Sequence, residues 1–530
     1  MPSLRSAPRR AILPVLVASA ISLTACSGGG SSSSSSSGSG GKALVLDTSF
    51  NLKTADPGRM YEQTGLLVDR ALYDTLLTFT GSDVSKPVPA LAESYQESKD
   101  GKTLTLKLRQ GATFSDGSPV TADDVVFSLN RVRDLKGNPS FLLDGVTVKK
   151  VDDTTIELHS AQPNPALPFI LPNPALGIVN SKVVKAHGGT EGADDKAESF
   201  LNGQSAGSGP YVLDSFNAST QVVLKANAKY WGTTKPTYGK VVIRNVQAPT
   251  QKLNVQRGDS QIALDLSPDQ AQGIGGGLQV AKGASANVLF LLANHSSAVS
   301  KVTSNPKFVE AVRKGVDYQG LLQLAGEGSV QAAGIVPSMI NGALPAGQAT
   351  GRDVAGAKAA LAASGVPNPK VKLEFPSDFT LNGLSFQPLA ERIQANLKEV
   401  GITVDLAPAP IATALQNYRD GKEEMGLWWW SPDYPDASDY LAFLPGKLIG
   451  LRAGWKKGDD SALESAGDKA ARTIGDARAQ QYQQIQTQLN QNGPIVPLFQ
   501  PSQHVVSAAS VTGVALNPVW TIDLAALGSN

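Results

Sequence analysis

The chain contains a single cysteine, Cys26, and this limits how the rest of the protein can fold. With no cysteine after it, the body has neither disulfides nor a cysteine metal site, so its stability must come from hydrophobic cores. Residues 27–41 are only serine and glycine, which have no side chains to bury and form a flexible tether. The 489 residues that follow, 42–530, exceed what one core accommodates and predict two or three domains.

The segment before Cys26 has the composition of a secretory signal. Three arginines within residues 5–10 precede a mostly apolar stretch, residues 11–23, which is too short to span a bilayer as a stable helix. The tetrapeptide Leu-Thr-Ala-Cys that ends at Cys26 resembles the lipobox of bacterial lipoproteins, in which the cysteine is diacylated and becomes the new N-terminus. This resemblance implies a removed signal peptide, residues 1–25, and a body tethered through residues 26–41 to lipid on Cys26.

The charge of the body is close to neutral. The formal net charge of +1 includes the three arginines of the signal, so the mature chain is near −2. No run of lysine or arginine follows, which argues against nucleic acid as a partner. No later stretch approaches the ~20 apolar residues that a membrane-spanning helix needs, so we expect the body to lie outside the bilayer.

Local patterns in the first half predict strands and a capped helix. Residues 103–109 alternate, with three leucines on one face, as a half-buried strand does. Thr121, followed by an acidic turn, predicts the N-cap of a helix whose buried side carries valines and a leucine. Residues 149–158 predict a hairpin with Asp152 and Asp153 at its bend.

The second half predicts a strand, a helix and a strand in succession. Residues 371–375 and 402–406 both alternate as strands. Between them, apolar residues from Leu389 to Val400 share one helical face, and Gly401 supplies the stop signal. This spacing is typical of a βαβ unit with parallel strands. We therefore predict an α/β protein of two lobes, with the ligand in the crevice between them.

Several motifs with catalytic or metal-binding associations lack the required context. Ser205 lies in a G-x-S-x-G string, but residues 198–209 are polar and glycine-rich and Pro210 blocks a following helix, so we predict a loop. A secreted hydrolase that uses Ser205 remains an alternative. The histidines have no metal-binding spacing, and we predict no catalytic residue, metal or cofactor; they are His159, His187, His295 and His504.

Longer motifs carry a family resemblance. Residues 114–131 read FSDGSPVTADDVVFSLNR, residues 207–213 read GSGPYVL, residues 227–232 read NAKYWG, and residues 493–498 read GPIVPL. Together they resemble the solute-binding proteins of ABC importers, in the family that includes dipeptide- and oligopeptide-binding proteins. The resemblance extends over about residues 44–520.

The resemblance implies an architecture and partners. It implies a two-lobed periplasmic-binding-protein-like fold, type II, of the large peptide-binding class, with an extra subdomain inserted in lobe one. The expected boundaries are 42–290 for lobe one with its insertion at about 80–200, 291–500 for lobe two, and 501–530 for a return to lobe one. It also implies a monomer that delivers its solute to an ABC permease in the membrane.

The resemblance places the ligand-binding aspartate at Asp433. Residues 428–436 read WWWSPDYPD and are similar to the family stretch W-x-x-D-Y/N-P-D-P, whose aspartate pairs with the α-ammonium of a bound peptide. A carboxylate in a cleft that excludes water pairs strongly with a desolvated ammonium. No arginine can be assigned with the same clarity to the peptide carboxylate, and Arg452 is a guess.

The aromatic residues beside Asp433 complete the predicted set of ligand-binding residues, which comprises Asp433, Trp430, Trp428 and Tyr434. If residues 428–430 form a strand, Trp428 and Trp430 share one face and Trp429 takes the other. We expect Trp428 and Trp430 to face the cleft and Trp429 to lie in the core.

The sequence thus predicts a lipid-anchored extracytoplasmic receptor that captures peptides for an ABC importer. Within the same class, a receptor for a nickel chelate, an opine or an oligosaccharide is the alternative, because the family places such ligands on one fold. A cell-envelope lipoprotein with a purely structural role is a further alternative.

Overall fold

The computed structural model describes residues 42–530. Cys26, the predicted signal peptide and the predicted tether lie outside the described residues. Across the described part, none of the helices combines the length and the apolar character that crossing a bilayer requires.

Lobe one is built on a seven-stranded mixed sheet. Its first strand, Ala43–Thr48, pairs in parallel with Lys240–Asn245 on one side and with Ile262–Ala263 on the other. In sheet order the strands are Leu278–Ala284, Ser502–Ala508, Ile262–Ala263, Ala43–Thr48, Lys240–Asn245, Gln221–Ala226 and Tyr211–Asn217.

Lobe two is built on a six-stranded sheet that contains the predicted βαβ unit. Strands Lys370–Pro376 and Thr403–Ala409 pair in parallel, joined by helix Phe386–Val400, which ends at Gly401 with φ of 103°. This prediction is confirmed. In sheet order the strands are Val330–Gln331, Ile495–Gln500, Val288–Ala293, Met425–Trp430, Lys370–Pro376 and Thr403–Ala409.

A four-stranded antiparallel sheet forms the subdomain inserted in lobe one. The predicted strand at residues 103–109 is present as Thr103–Leu108, and the predicted hairpin turns at Asp152 and Asp153. Thr121 caps helix Ala122–Asp134 in a reciprocal capping box with Asp124, as predicted. In sheet order the strands are Ala92–Glu97, Thr103–Leu108, Thr155–Ser160 and Val146–Lys150.

The remaining elements cover these sheets. Two-stranded ribbons pair Leu77–Thr80 with Asp83–Pro89, Thr380–Leu381 with Leu384–Ser385, and Val511–Thr512 with Gly528–Ser529. The longer helices not yet named are Gln63–Leu72, Ala248–Arg257, Pro306–Gly315, Tyr318–Ala325, Val354–Ala363, Ile411–Arg419, Ser461–Arg472 and Ala477–Asn492. The shorter helices are Asn138–Leu143, Leu167–Ile170, Pro174–Leu176, Ser181–Ala186, Glu198–Leu201, Pro268–Ala271, Ala346–Gln348, Ala437–Phe443, Leu448–Arg452 and Leu524–Ala526.

Two adjacent chain segments connect the lobes. The chain leaves the seven-stranded sheet after Ala284, enters the six-stranded sheet at Val288, and returns between Gln500 and Ser502. The two crossings are joined by hydrogen bonds: Ser285 Oγ donates to the carbonyl of Pro501 (2.9 Å), and Gln500 Nε2 donates to the carbonyl of Ser285 (2.9 Å). A narrow double connection of this kind is the geometry of a hinge. The exact domain boundaries given above stay predictions.

Each lobe has its own hydrophobic core. One core lies under the lobe-one sheet around Leu46 and Ile243, and another fills the inserted subdomain around Leu106 and Phe114. The lobe-two sheet is covered on both faces, so it separates two apolar clusters. Burial on both faces explains why the lobe-two strand Val288–Ala293 is apolar throughout.

A buried ion network fixes the segment that precedes helix Gln63–Leu72. Arg131, 1% exposed, donates two hydrogen bonds to the carboxylate of Asp56 (2.6 and 2.7 Å) and two to that of Asp195 (2.8 and 2.9 Å). Burial favours the neutral form of Asp195, but the hydrogen bonds and charge of Arg131 lower its pKa to about 2. Because Met60 N donates to the carbonyl of Asp56, this network also positions Tyr61.

Replacing Arg131 with methionine should destabilise the protein strongly. The change removes the bidentate partner of two buried carboxylates and leaves each with one hydrogen bond from Arg59, and the loss of a buried partner costs about 3–5 kcal/mol. Arg133→Met on the same helix is the matched control: Arg133 pairs with the half-exposed Asp134, a kind of pair worth about 1 kcal/mol or less. Urea denaturation of both variants measures the difference, and equal losses would contradict this role for Arg131.

Candidate functional site

The candidate site is built on the segment that follows strand Met425–Trp430 in lobe two. After the strand, residues 431–436 form a loop that ends where Asp436 caps the helical turn Ala437–Phe443. The Asp436 carboxylate also pairs with both terminal nitrogens of Arg478 at 2.6 Å. Asp436 is therefore fully engaged in holding the loop, and its charge is neutralised.

Asp433 lies at the centre of this loop and is contacted by both lobes. Tyr61 Oη, from lobe one, donates a hydrogen bond to Asp433 Oδ1 (2.7 Å). Asn173 Nδ2, from the inserted subdomain, donates to the Asp433 carbonyl (3.1 Å). The structure thus has the lobes in contact at the residue predicted to bind the ligand ammonium.

A second carboxyl, that of Asp439, lies against Asp433. Asp439 is 7% exposed, and its Oδ2 accepts hydrogen bonds from Trp430 Nε1 (2.8 Å) and from the backbone N–H of Asp433 (3.3 Å). The carboxyl groups of Asp433 and Asp439 are close enough to shift each other's pKa. We refer to Asp433 and Asp439 as the carboxyl pair.

The carboxyl pair has no cationic partner among residues 42–530. Burial raises the pKa of Asp433, although hydrogen bonds from Tyr61 and Asp439 lower it in part. The pKa of Asp439 is raised well above its ordinary value, first by burial and then by the charge of Asp433. Both shifts follow from placing two acids in a low-dielectric site without a compensating charge.

The carboxyl pair lines a cavity of about 460 Å³ between lobe two and the inserted subdomain. The subdomain contributes Phe141, Leu142, Asp144, Gln162, Pro163, Asn164, Ala166 and Ile170, and lobe two contributes Asp433, Tyr434, Ser438, Asp439, Leu441, Ala471 and Arg472. The lining combines apolar side chains with polar and charged ones, and converging polar groups in a cleft between domains are typical of ligand sites. A further depression of about 540 Å³ is lined only by residues 465–473, so we place the site in the cavity that two domains line.

Tyr434 and Trp430 take different positions around this cavity. Tyr434 is half-buried, lines the cavity and packs against the core of the inserted subdomain. Trp430 is not among the lining residues; its ring contacts Phe443 edge to face (5.7 Å) while its N–H holds Asp439. Ligand contact by Trp430 therefore stays a prediction, and its observed contact is one that positions Asp439.

The prediction that Trp428 faces the cleft is wrong. Trp428 is 1% exposed, stacks on Tyr418 (4.4 Å) and donates from Nε1 to Glu423 Oε2 (2.7 Å). The expected alternation is present, because Trp428 and Trp430 pack on the same apolar cluster. That face of the strand is covered by helices of lobe two and is a core. Trp429, expected in the core, is half-buried and stacks on Phe379 (4.6 Å).

The arginine suggested for a peptide carboxylate is placed elsewhere. The Arg452 guanidinium lies over the ring of Tyr418 (4.8 Å), and Arg452 does not line the cavity. Arg472, at the end of helix Ser461–Arg472, does line it. Arg472 is thus the guanidinium that the described residues bring to the cavity.

Ser205 does not have the surroundings of a nucleophile. It lies in a loop, as predicted, is 7% exposed, and its Oγ accepts a hydrogen bond from the backbone N–H of Leu213 (3.1 Å). Across residues 42–530, no histidine is hydrogen-bonded to it. The loop is shorter than predicted, because residues 198–201 form a helical turn that places Leu201 in the lobe-one core.

Three residues of the site were not identified from the sequence: Asp439, Tyr61 and Asn173. Asp439 carries no motif signal of its own. Tyr61 and Asn173 precede Asp433 by 372 and 260 residues, and only the folded chain brings them to it.

Glu423, beneath Trp428, should make stability depend on pH. Burial without a cationic partner raises its pKa to about 9, whereas the unfolded value is about 4.3. The folded state then holds a proton that the unfolded chain loses, so this contribution is full below about pH 4.3 and falls as pH rises towards about 9. We expect Glu423→Gln to gain stability relative to wild type, by a margin that grows from pH 5 to pH 9.

Urea denaturation at each pH measures this margin. Glu391→Gln, which removes an exposed carboxyl from lobe two, is the control and should show no comparable trend. A margin that stays constant across the range would mean that Glu423 is ionised in the folded protein.

Comparison with known proteins places this geometry in a family. Residues 86–448 match the family described as bacterial extracellular solute-binding proteins, family 5 Middle. The chain is 28% identical over 491 residues to the probable D,D-dipeptide-binding periplasmic protein DdpA of Escherichia coli, covering 90% of this chain and 92% of the relative.

Solved structures share the fold. A periplasmic binding protein DppA from Helicobacter pylori, in complex with the peptide STSA, aligns with a TM-score of 0.73 at 22% identity, covering 92% of this chain and 98% of that one. A dipeptide-binding protein from Pseudoalteromonas sp. SM9913, in complex with Met-Leu, aligns with a TM-score of 0.74 at 20% identity, covering 92% and 100%. The predicted two-lobed fold and family are confirmed. Since the family match spans more than half of the sequence, this chain belongs to the bacterial extracellular solute-binding proteins, family 5.

Proposed function

We propose that this protein is a lipid-anchored extracytoplasmic receptor that captures short peptides and delivers them to an ABC permease. The observation that carries the proposal is the carboxyl pair, which lines a cavity and has no ion-pair partner among residues 42–530. A site of this kind is complementary to a ligand that brings its own positive charge.

The α-ammonium of a peptide is the cation that suits this site. It offers N–H donors to the carboxylate oxygens, and charge-assisted hydrogen bonds of this type are the stronger ones in proteins. The pairing also removes the penalty of a buried charge without a partner. The apolar walls, formed by residues such as Leu142, Ile170 and Leu441, accommodate peptide side chains.

Contacts between the lobes connect ligand binding to closure. Tyr61 and Asn173 reach Asp433 from lobe one and its insertion, so both bonds exist only when the lobes are together. A ligand that binds between the lobes shifts the equilibrium towards this closed arrangement. The permease then receives a receptor whose shape reports that it is loaded.

The ligands of similar proteins support the assignment. The three proteins compared above are named for, or were solved with, a D,D-dipeptide, the peptide STSA and the dipeptide Met-Leu. These are all short peptides, which agrees with a cavity of about 460 Å³.

Met-Leu and Ser-Thr-Ser-Ala, each with its N-acetylated counterpart, test the proposal directly. Acetylation removes the positive charge, so we expect the free peptides to bind and the acetylated ones to bind at least about 30-fold more weakly. The reason is that losing one member of a buried charge pair costs about 2–5 kcal/mol. Isothermal titration calorimetry on residues 42–530, which contain all the cores described above, measures both affinities.

Asp433→Asn should weaken the binding of the free peptides by a similar factor and leave the affinity for the acetylated peptides nearly unchanged. Asp476→Asn, an exposed acid outside the cavity, is the matched control. Equal binding of free and acetylated peptides would contradict the role of the carboxyl pair.

Mass spectrometry of material that co-purifies with the protein distinguishes the alternatives. A set of short peptides supports the proposal and gives their length. A metal chelate, an opine or an oligosaccharide would keep the importer function but overturn the peptide assignment. Reaction of Ser205 with a fluorophosphonate would instead support the hydrolase.

Lipidation at Cys26 is the part of the proposal that rests on sequence alone. We expect the full chain to partition into the detergent phase of Triton X-114 and to incorporate radiolabelled palmitate. Cys26→Ala should abolish both, because the thiol is the predicted acylation site. Labelling that persists in this variant would place the anchor elsewhere.

A further inference from the structure

Asp439 has a feature that the proposed function does not by itself explain. It is 93% buried, lines the cavity, and accepts its hydrogen bonds on Oδ2 alone. Its Oδ1 accepts no hydrogen bond from the donors of residues 42–530, and the same is true of Asp433 Oδ2. The carboxyl pair thus presents two oxygens without donors beside the cavity.

The adjacency of the two acids determines their protonation in the absence of ligand. The backbone N–H of Asp433 donates to Asp439 Oδ2, and both residues line the same cavity without an ion-pair partner among residues 42–530. Burial raises the pKa of both acids, and the charge of Asp433 raises that of Asp439 further, because two adjacent carboxylates cannot both ionise at ordinary cost. We therefore expect the pair to keep one proton when no ligand cation is bound.

We propose that Asp439 is a second ligand-binding residue, and that the ammonium group of the ligand replaces a proton shared between Asp433 and Asp439. This inference rests on the proposed function and deepens it. The ligand class is a peptide with a free amino terminus, which binds two acids together, and the displaced proton passes to solvent.

Other charged and titratable groups around the pair do not provide this proton exchange. Tyrosines on three sides are kept neutral by burial and the acids, which raise the pKa of each. Asp436 is neutralised by Arg478. The remaining charged groups, Asp144 and Arg472, lie on the cavity wall and are exposed. The three tyrosines are Tyr61, Tyr434 and Tyr440.

The direction of the exchange follows from linkage. Burial raises the pKa of both acids in the empty protein, and an adjacent ammonium lowers both, since an opposite charge favours the ionised form. The loaded site therefore holds fewer protons than the empty one, and the proton competes with the peptide. Affinity should rise with pH until the empty pair has lost its proton.

Calorimetry in buffers of different ionisation enthalpy counts the protons released. At pH 5.5, titration with Met-Leu or Ser-Thr-Ser-Ala should release up to one proton per site, and the number should decrease towards pH 8. Asp439→Asn retains the shape of the acid without its proton, so its release should fall to near zero and its affinity should vary less with pH. Asp476→Asn, exposed and outside the cavity, should behave as wild type.

Stability measured against pH without ligand tests whether the carboxyl pair holds a proton, separately from whether a peptide displaces it. If the empty pair holds a proton, wild-type stability should fall relative to Asp439→Asn as pH rises from about 4, because the unfolded acids have already lost theirs. Equal pH profiles for the two proteins overturn the shared proton.

If the two proteins differ in how their stability depends on pH, but peptide binding releases no proton, then the exchange is overturned and peptide capture stays intact. If only the N-acetylated peptides bind, the role of the carboxyl pair fails and the exchange fails with it. If no peptide binds while a co-purified neutral solute does, peptide capture fails as well.

Discussion

The architecture of the site depends on two adjacent acids, the buried Asp439 and the half-buried Asp433, that have no cation of their own. Asp433 and Asp439 lie where lobe two meets the inserted subdomain. In the part of the chain that the structure describes, no lysine or arginine lies within ion-pair distance of either carboxyl group. Two adjacent carboxylates without a compensating charge are unfavourable, and a proton or a cationic ligand stabilises them by neutralising part of that charge. The surrounding structure is organised accordingly: Trp430 holds Asp439 from within lobe two, whereas Tyr61 holds Asp433 from lobe one.

The parts of the fold that the sequence predicts are those determined by neighbours along the chain. The capping box at Thr121, the strand Thr103–Leu108 and the βαβ unit around helix Phe386–Val400 depend on alternation, helical spacing and cap residues within about twenty positions. Asp433 was located by a motif, and the structure places it beside the cavity between two domains.

The residues that were missed or wrongly placed depend on the tertiary arrangement. The shared face of Trp428 and Trp430 follows from strand geometry, but which face meets solvent depends on helix Ala477–Asn492 and its neighbours, far along the chain. Trp428 therefore lies in a core with Glu423, whose pKa burial raises to about 9. Asp439 has the same local signal as any acid in a helical turn, and only its approach to Asp433 distinguishes it.

The three aspartates of this loop and turn differ in a way that argues for function. Asp436 receives a bidentate arginine and a capping role, the ordinary means by which a buried acid is accommodated. Asp433 and Asp439, three residues to either side, receive only neutral donors. If the loop needed acids solely for its shape, a cation for each would stabilise it further. The protein instead leaves one positive charge missing beside a cavity, and a ligand ammonium, which enters and leaves, can provide that charge in a way that a fixed arginine cannot.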